Sequence, residues 1–216
     1  MKGARRVLNI LHLCSGTNST VQAFIDRGHN VVSVDNDASF HATYTRDVLD
    51  LTPRDLRDWG PFDFAVAGPP CEGFSVASIG RNWTGGKNAY IPASETTRRG
   101  LRIATHVHDL ISTLGCPYVV ENPRGLMRKT ALQDVPRVTV TYCQYGDSRM
   151  KPTDLFSHRF PRYWGPRPVC KNGDPCHDAA PRGSKTGTQG LAKIDRSRVP
   201  YDLSLSLCIA VEKEND

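Results

Sequence analysis

Apolar residues in this chain fall into short runs that end in small, polar turns, and the runs alternate between two spacings. Residues 7–13, 31–35, 64–67 and 117–123 are β-rich runs of strand length. Between them, residues 20–27, 53–59 and 94–114 carry apolar side chains at helical intervals, as in Leu101, Ile103, Ala104, Val107, Leu110, Ile111 and Leu114. A short element over residues 45–49 precedes the second helix. Strand, turn and helix repeated in this order predict a parallel sheet of the α/β class. A last apolar helical run over 199–211 holds Leu203, Leu205, Leu207, Cys208, Ile209 and Val211.

At 216 residues the chain has room for one sizeable domain and a small appendage. No run approaches the ~20 apolar residues of a membrane span, and the start is too short for a signal segment, so a soluble protein in the cytoplasm is expected. Seven scattered cysteines suit a reducing compartment, as thiols, metal ligands or catalytic groups. The net charge of +6 thickens at Arg98-Arg99, over 124–129 and over 149–167. Such a balance fits a polyanion such as nucleic acid, and equally an ordinary solvated surface.

The strand ends hold the candidate chemistry, because open α/β sheets bind ligands at the carboxyl ends of their strands. Residues 64–67 run into Gly68-Pro69-Pro70-Cys71, where two prolines stiffen the loop before the thiol. On the residues alone, Cys71 reads either as a presented nucleophile or as a small core residue. The first strand ends in Leu13-Cys14-Ser15-Gly16-Thr17-Asn18-Ser19, and the second in Asp35. That pairing suits an adenosine-bearing ligand, with the carboxylate on the ribose hydroxyls; Asp35 as a plain turn cap is the other reading. Another strand ends in Glu121-Asn122-Pro123, which puts a second ionisable group on the rim that holds Cys71. The polar, Gly-rich stretch over 79–92 reads as a mobile lid, with Trp83 either filling a gap in the substrate or simply packing.

In the tail, Cys170 and Cys176-His177 bracket a Gly-containing loop. With Cys143 they make a three-sulfur, one-nitrogen set suited to structural zinc, or else a group of loop thiols without an ion. Residues 180–192, rich in Lys, Arg, Gly and Thr, are candidates for phosphate contact or groove reading, or a solvated connection.

Together these segments resemble the cytosine-C5 DNA methyltransferase family, in the family's motif order over most of the chain. Gly68-Pro69-Pro70-Cys71-Glu72-Gly73-Phe74-Ser75 is similar to the nucleophile motif, and Glu121-Asn122-Pro123 to the Glu-Asn-Val motif, with proline third. The turn from Leu13 to Ser19 is similar to the cofactor turn, with Asn18 where a second glycine is usual. Gln144 to Arg149 matches the Gln-x-Arg-x-Arg segment loosely. Stretches such as Tyr142-Cys143-Gln144-Tyr145-Gly146, Met150-Lys151-Pro152-Thr153-Asp154 and Lys185-Thr186-Gly187-Thr188-Gln189-Gly190 are most like those of short phage and prophage members.

The resemblance implies a Rossmann-like S-adenosylmethionine-dependent methyltransferase fold, a mostly parallel sheet with helices on both faces. It implies a catalytic domain over 1–150, a reduced target-recognition and possible zinc-binding segment over 151–198, and a C-terminal helix over 199–216 that returns to the catalytic domain. Because 67 residues (216 minus 149) follow Arg149, an irregular tail stands in place of a full target recognition domain, and sequence specificity should be short or relaxed. Cys71, Glu121 and Arg149 are the implied catalytic residues. Leu13, Cys14, Ser15, Gly16, Thr17, Asn18, Ser19, Asp35, Asn36, Asp47, Val48, Gly68 and Pro69 are the implied binding residues for S-adenosylmethionine. Asp35 takes the ribose, Asp47 the adenine amine, and Arg149 O2 of the target base.

The implied partner is double-stranded DNA with a flipped cytosine, bound by a monomer in a bacterial host cell, and restriction-modification is the setting the resemblance implies. Two other readings stay open at this point: the same chemistry on RNA or a free cytidine nucleotide, and a catalytically silent DNA-binding relative.

Overall fold

The computed structural model describes residues 6–75, 79–86, 89–179 and 191–216. Five strands lie parallel in one sheet: β1 (Asn9–Leu13), β2 (Asn30–Asp35), β3 (Tyr44–Thr45), β4 (Phe64–Ala67) and β7 (Tyr118–Pro123). A small antiparallel pair, β5 (Trp83–Thr84) and β6 (Ile91–Pro92), stands apart. Two further strands complete the large sheet, β8 (Arg137–Thr141) and β9 (Pro152–Phe156), in the order β3-β2-β1-β4-β7-β9-β8. Because β9 is antiparallel to both β7 and β8, it alone runs against the rest.

The helices are α1 (Gln22–Asp26), α2 (Pro53–Trp59), α3 (Ile79–Asn82), α4 (Glu95–Ser112), α5 (Lys193–Ser197) and α6 (Tyr201–Asn215). Strand alternation divides the core between two faces. Leu11, Leu13, Ala65, Ala67, Tyr118 and Val120 pack under α2 and α4, whereas Ile10, Phe64, Val66 and Val119 pack under α1 and α6. Both faces are therefore covered, as a parallel sheet requires.

Local chemistry sets the element ends. Thr52 and Asp55 form a capping box with Pro53 in the first turn of α2, and the Ser94 hydroxyl caps α4. The helix expected over 20–27 is divided into a 3-10 turn (Ser19–Val21) and α1, and Gly28 at φ +82° closes it. Two expectations are revised. The sheet runs past the boundary drawn at residue 150, because β9 is inserted beside β7; the part outside the sheet begins after Phe156. The stretch over 79–92 is no plain loop, since α3 and the β5–β6 pair bury Trp83, whose Nε1 donates to the Gly73 carbonyl at 2.6 Å. The expectation for residues 180–192 lies, through 190, outside the described residues.

Candidate active site

Strands β4 and β7 are hydrogen-bonded neighbours in which Ala67 pairs with Val120, so the nucleophile-like loop and Glu121 leave the sheet at the same edge. This edge lies beside the crevice between β1 and β4, where the order of connection reverses. The Asn122 side-chain amide donates to the Pro69 carbonyl at 2.9 Å, joining the two loops directly. Cys71 is half-buried.

Electrostatics tie these groups into one unit. Burial, and then the neighbouring Glu121, push the Cys71 thiol above its ordinary value, while Lys151 pulls it down. Glu121 is buried, which raises its carboxyl pKa against the opposing pull of Lys151 and the Tyr142 hydroxyl. That hydroxyl donates to Glu121 Oε1 at 2.7 Å. The Lys151 ammonium is itself lowered by burial and supported by Glu121. It lies 4.5 Å from the centre of the Tyr142 ring and donates to the Arg196 carbonyl at 2.7 Å. The site thus sets a thiol and a carboxyl, both shifted upward by burial, beside a half-buried ammonium group.

Lys151 is the residue that sequence reasoning missed. Its signal was slight, a lone lysine between a turn and a proline, although Gly146 and Ser148 had left the segment short of arginines. Its backbone has φ +27°, an unusual conformation that fixes where the side chain departs. Arg149, assigned to the base, has its guanidinium on Asp147, with Nε to Oδ1 at 2.8 Å, and it donates to the Asp195 carbonyl at 3.4 Å. It is near Tyr142 and Lys151 but already committed to a carboxylate.

The turn after β1 has the form of a ligand cradle. Cys14, Gly16 and Asn18 all have positive φ, 52°, 48° and 58°. Asparagine is among the residues that best tolerate this left-handed region, so Asn18 can replace a glycine here. Its Oδ1 lies 2.9 Å from His12 Nδ1, so the side chain turns back toward the sheet. His12 is fully buried and its pKa falls to about 4, which leaves it neutral.

Asp35 closes the turn: Oδ2 accepts from Gly16 N at 2.8 Å and Oδ1 from Asp37 N at 3.0 Å. Each oxygen keeps a lone pair for a hydroxyl. Ser15 Oγ is buried with no hydrogen-bond partner, and a Cβ on Gly68 would stand 3.3 Å from the Cys14 carbonyl. An orphaned donor in a close-packed turn above a buried carboxylate fits a polar nucleoside ligand. Asp47 caps the next turn through Leu49 N and is ion-paired with Arg99, while Val48 is buried beside it and Asn36 is exposed.

The four residues expected to bind metal converge outside this site: Cys143, Cys170, Cys176 and His177 bring their donor atoms within 4.8 Å of one another. Among the described residues, no helix is long and apolar enough to cross a membrane.

No protein-family model matches the chain. A curated relative, a probable DNA (cytosine-5)-methyltransferase of Frog virus 3 (isolate Goorha), is 33% identical over 151 residues, covering 65% of each chain. The chain therefore spans slightly less than two thirds of that relative's length. Among solved structures, the Entamoeba histolytica methyltransferase EhMeth superposes with a TM-score of 0.52 at 9% identity, over 77% of this chain and 58% of the other. The S. pombe Dnmt2 methyltransferase gives 0.46 at 13%, over 70% and 49%. The sheet order and the EhMeth superposition give a Rossmann-like fold, a mostly parallel sheet with helices on both faces. By sequence the chain is thus similar to a probable DNA (cytosine-5)-methyltransferase, and by fold to the methyltransferase EhMeth.

Proposed function

We propose that the chain methylates C5 of cytosine in DNA, with Cys71 as nucleophile and S-adenosylmethionine as donor. The observation that carries this reading is the joining of the Cys71 loop to Glu121-Asn122 across β4 and β7, with Lys151 facing both ionisable groups. The curated relative's name supports the substrate class.

Cytosine C5 is a poor nucleophile on its own. Addition of the Cys71 thiolate to C6 turns the C5–C6 unit into an enamine-like carbon nucleophile. S-adenosylmethionine, when bound, supplies an electrophilic sulfonium methyl group. Glu121, whose proton affinity burial raises, donates in its protonated form to N3 and accepts from the exocyclic amine, which distinguishes cytosine from thymine. Lys151 favours the thiolate of Cys71 and offsets the negative charge that develops in the ring; we give it the role first assigned to Arg149. Water then removes the proton from methylated C5, whose electron pair re-forms the C5–C6 double bond as the C6–S bond breaks and the sulfur leaves as the Cys71 thiolate.

Residues of the turn from Leu13 to Ser19, Asp35, Asn36, Asp47, Val48, Gly68 and Pro69 would hold the donor, with Ser15 Oγ and the Asp35 carboxylate offering its polar contacts. The target atom is inaccessible within a duplex, so the base must be flipped out to reach Cys71. The stretch between β9 and α6 contributes to recognition of the DNA.

Nucleoside mass spectrometry tests the reading, after incubation with S-adenosylmethionine and, separately, duplex DNA, RNA and cytidine nucleotides. Methylcytosine is expected in DNA. Product in another pool alone overturns the substrate, and no product with the donor bound overturns the activity.

A further inference from the structure

We infer that Cys143, Cys170, Cys176 and His177 form a structural zinc site that fastens the segment after β9 to the catalytic sheet. For tetrahedral zinc, bonds of about 2.3 Å to sulfur and 2.0–2.1 Å to nitrogen require S···S edges of about 3.8 Å and S···N edges of about 3.5 Å. The structure has Cys176 Sγ to Cys143 Sγ at 3.6 Å, Cys170 Sγ to His177 Nδ1 at 3.7 Å and Cys176 Sγ to His177 Nδ1 at 3.5 Å. A fourth separation, Cys143 Sγ to Cys170 Sγ, is shorter at 3.1 Å, yet remains well beyond the ~2.05 Å of a disulfide. Three thiolates and an imidazole are a donor set that selects zinc over magnesium or calcium.

The surroundings supply the reason for a staple. Residues 157–179 contain neither helix nor strand, and from Arg162 to Ala179 the one buried residue is Cys170. Beyond Trp164, which packs half-buried against the core under α6, the stretch has little apolar burial to order it. The segment nevertheless follows a defined path. Cys170 N donates to Thr141 Oγ1 at 3.1 Å, Gly173 takes φ +95° in a turn closed by Asp174 N on the Lys171 carbonyl, and Gln144 Nε2 donates to Cys176 Sγ at 3.3 Å. That path returns Cys176 and His177 to Cys143.

A second convergent trio shows the contrast. His29, Cys208 and Glu212 also gather their donor atoms, but there the His29 Nδ1 accepts from Leu8 N and Nε2 meets Glu212, which also binds Arg27 through both oxygens. Ordinary hydrogen bonds account for that group.

Cys143 stands next to Tyr142, whose hydroxyl holds Glu121. The metal would thus anchor the turn (Tyr142–Tyr145) that faces the catalytic carboxyl. Zinc content does not depend on methyl transfer, so this inference and the proposed activity fail separately.

The test is elemental analysis of the full chain purified reduced and without chelator, followed by cobalt replacement. About one zinc per chain is expected, with the visible bands of tetrahedral thiolate-bound cobalt after exchange. Cys170→Ser should lose most of the metal, and His177→Cys, which keeps four ligands, should retain it. Wild-type protein with less than about a tenth of an equivalent of zinc and no tetrahedral cobalt spectrum overturns the inference. So does a Cys143–Cys170 disulfide mapped in the native protein.

Discussion

The Asn122 amide donates to the carbonyl of Pro69 at 2.9 Å, so a residue beside the buried carboxyl holds the loop that carries the thiol. The same amide leaves its own oxygen buried without a partner, a cost accepted at this one joint. Asn122→Ala should therefore lower stability by only about 1 kcal/mol, since one neutral hydrogen bond is lost. Its larger effect should fall on kcat, because Cys71 loses its fixed approach to the base. Equilibrium unfolding beside steady-state methyl transfer would separate the two; a variant with wild-type kcat would remove the positioning role.

Cys71→Ala should abolish methyl transfer, by at least ~10³-fold, while leaving the fold intact, because a half-buried thiol on a loop contributes little to the core. Turnover assays and a thermal melt check this. Substantial transfer by the variant would exclude the covalent route.

The two charged neighbours of Cys71 should move its titration in opposite directions. Glu121 raises the thiol pKa and Lys151 lowers it, so Glu121→Gln should bring thiolate reactivity to lower pH and Lys151→Met should carry it higher. Iodoacetamide alkylation across pH reads both shifts. If the two variants moved together, the electrostatic account of the site would be wrong.

Stability carries a related pH signature. Glu121 has a folded pKa raised above its ordinary 4.5, so its protonated form favours the native state. That contribution is full below 4.5 and is lost as pH rises through the folded value. Glu121→Gln should flatten this decline in denaturant midpoints measured from acid toward neutral pH.

Asp35→Asn should weaken donor binding at least ~10-fold, because an amide NH₂ would face the N–H of Gly16 or Asp37 in place of a carboxylate oxygen. Calorimetry with S-adenosylhomocysteine provides the measurement, and unchanged affinity would place the nucleoside elsewhere.

The parts of this arrangement that follow simple spacing were legible in the sequence. Strand 64–67 is a continuous apolar run, as a parallel strand buried on both faces must be, and the valines over 31–34 mark a second strand, which placed Cys71 just past one strand end and Asp35 at the other. Strand β9 was not legible. It begins with proline and buries Asp154, a residue that reads as surface until Arg128 and Thr139 are seen bonded to it. Lys151 was hidden for a similar reason: its importance comes from the carboxyl on a strand about thirty positions earlier and from a backbone angle, and neither leaves a local pattern. For Trp83, in a glycine-rich stretch, two readings stayed open because the Gly73 carbonyl that receives its indole lies ten residues away.

The seam between α1 and α6 has a consequence for synthesis on the ribosome. Ala23 N reaches Ser204 Oγ across a separation of 181 residues, and Val21, Ala23 and Phe24 share a core with Leu203, Leu207 and Val211. As the nascent chain emerges, the first strand-helix unit has nothing to cover that apolar flank until translation is nearly at α6. Its folding is therefore delayed by a long loop closure, and a chain arrested before α6 would expose a sticky face that chaperones would have to shield.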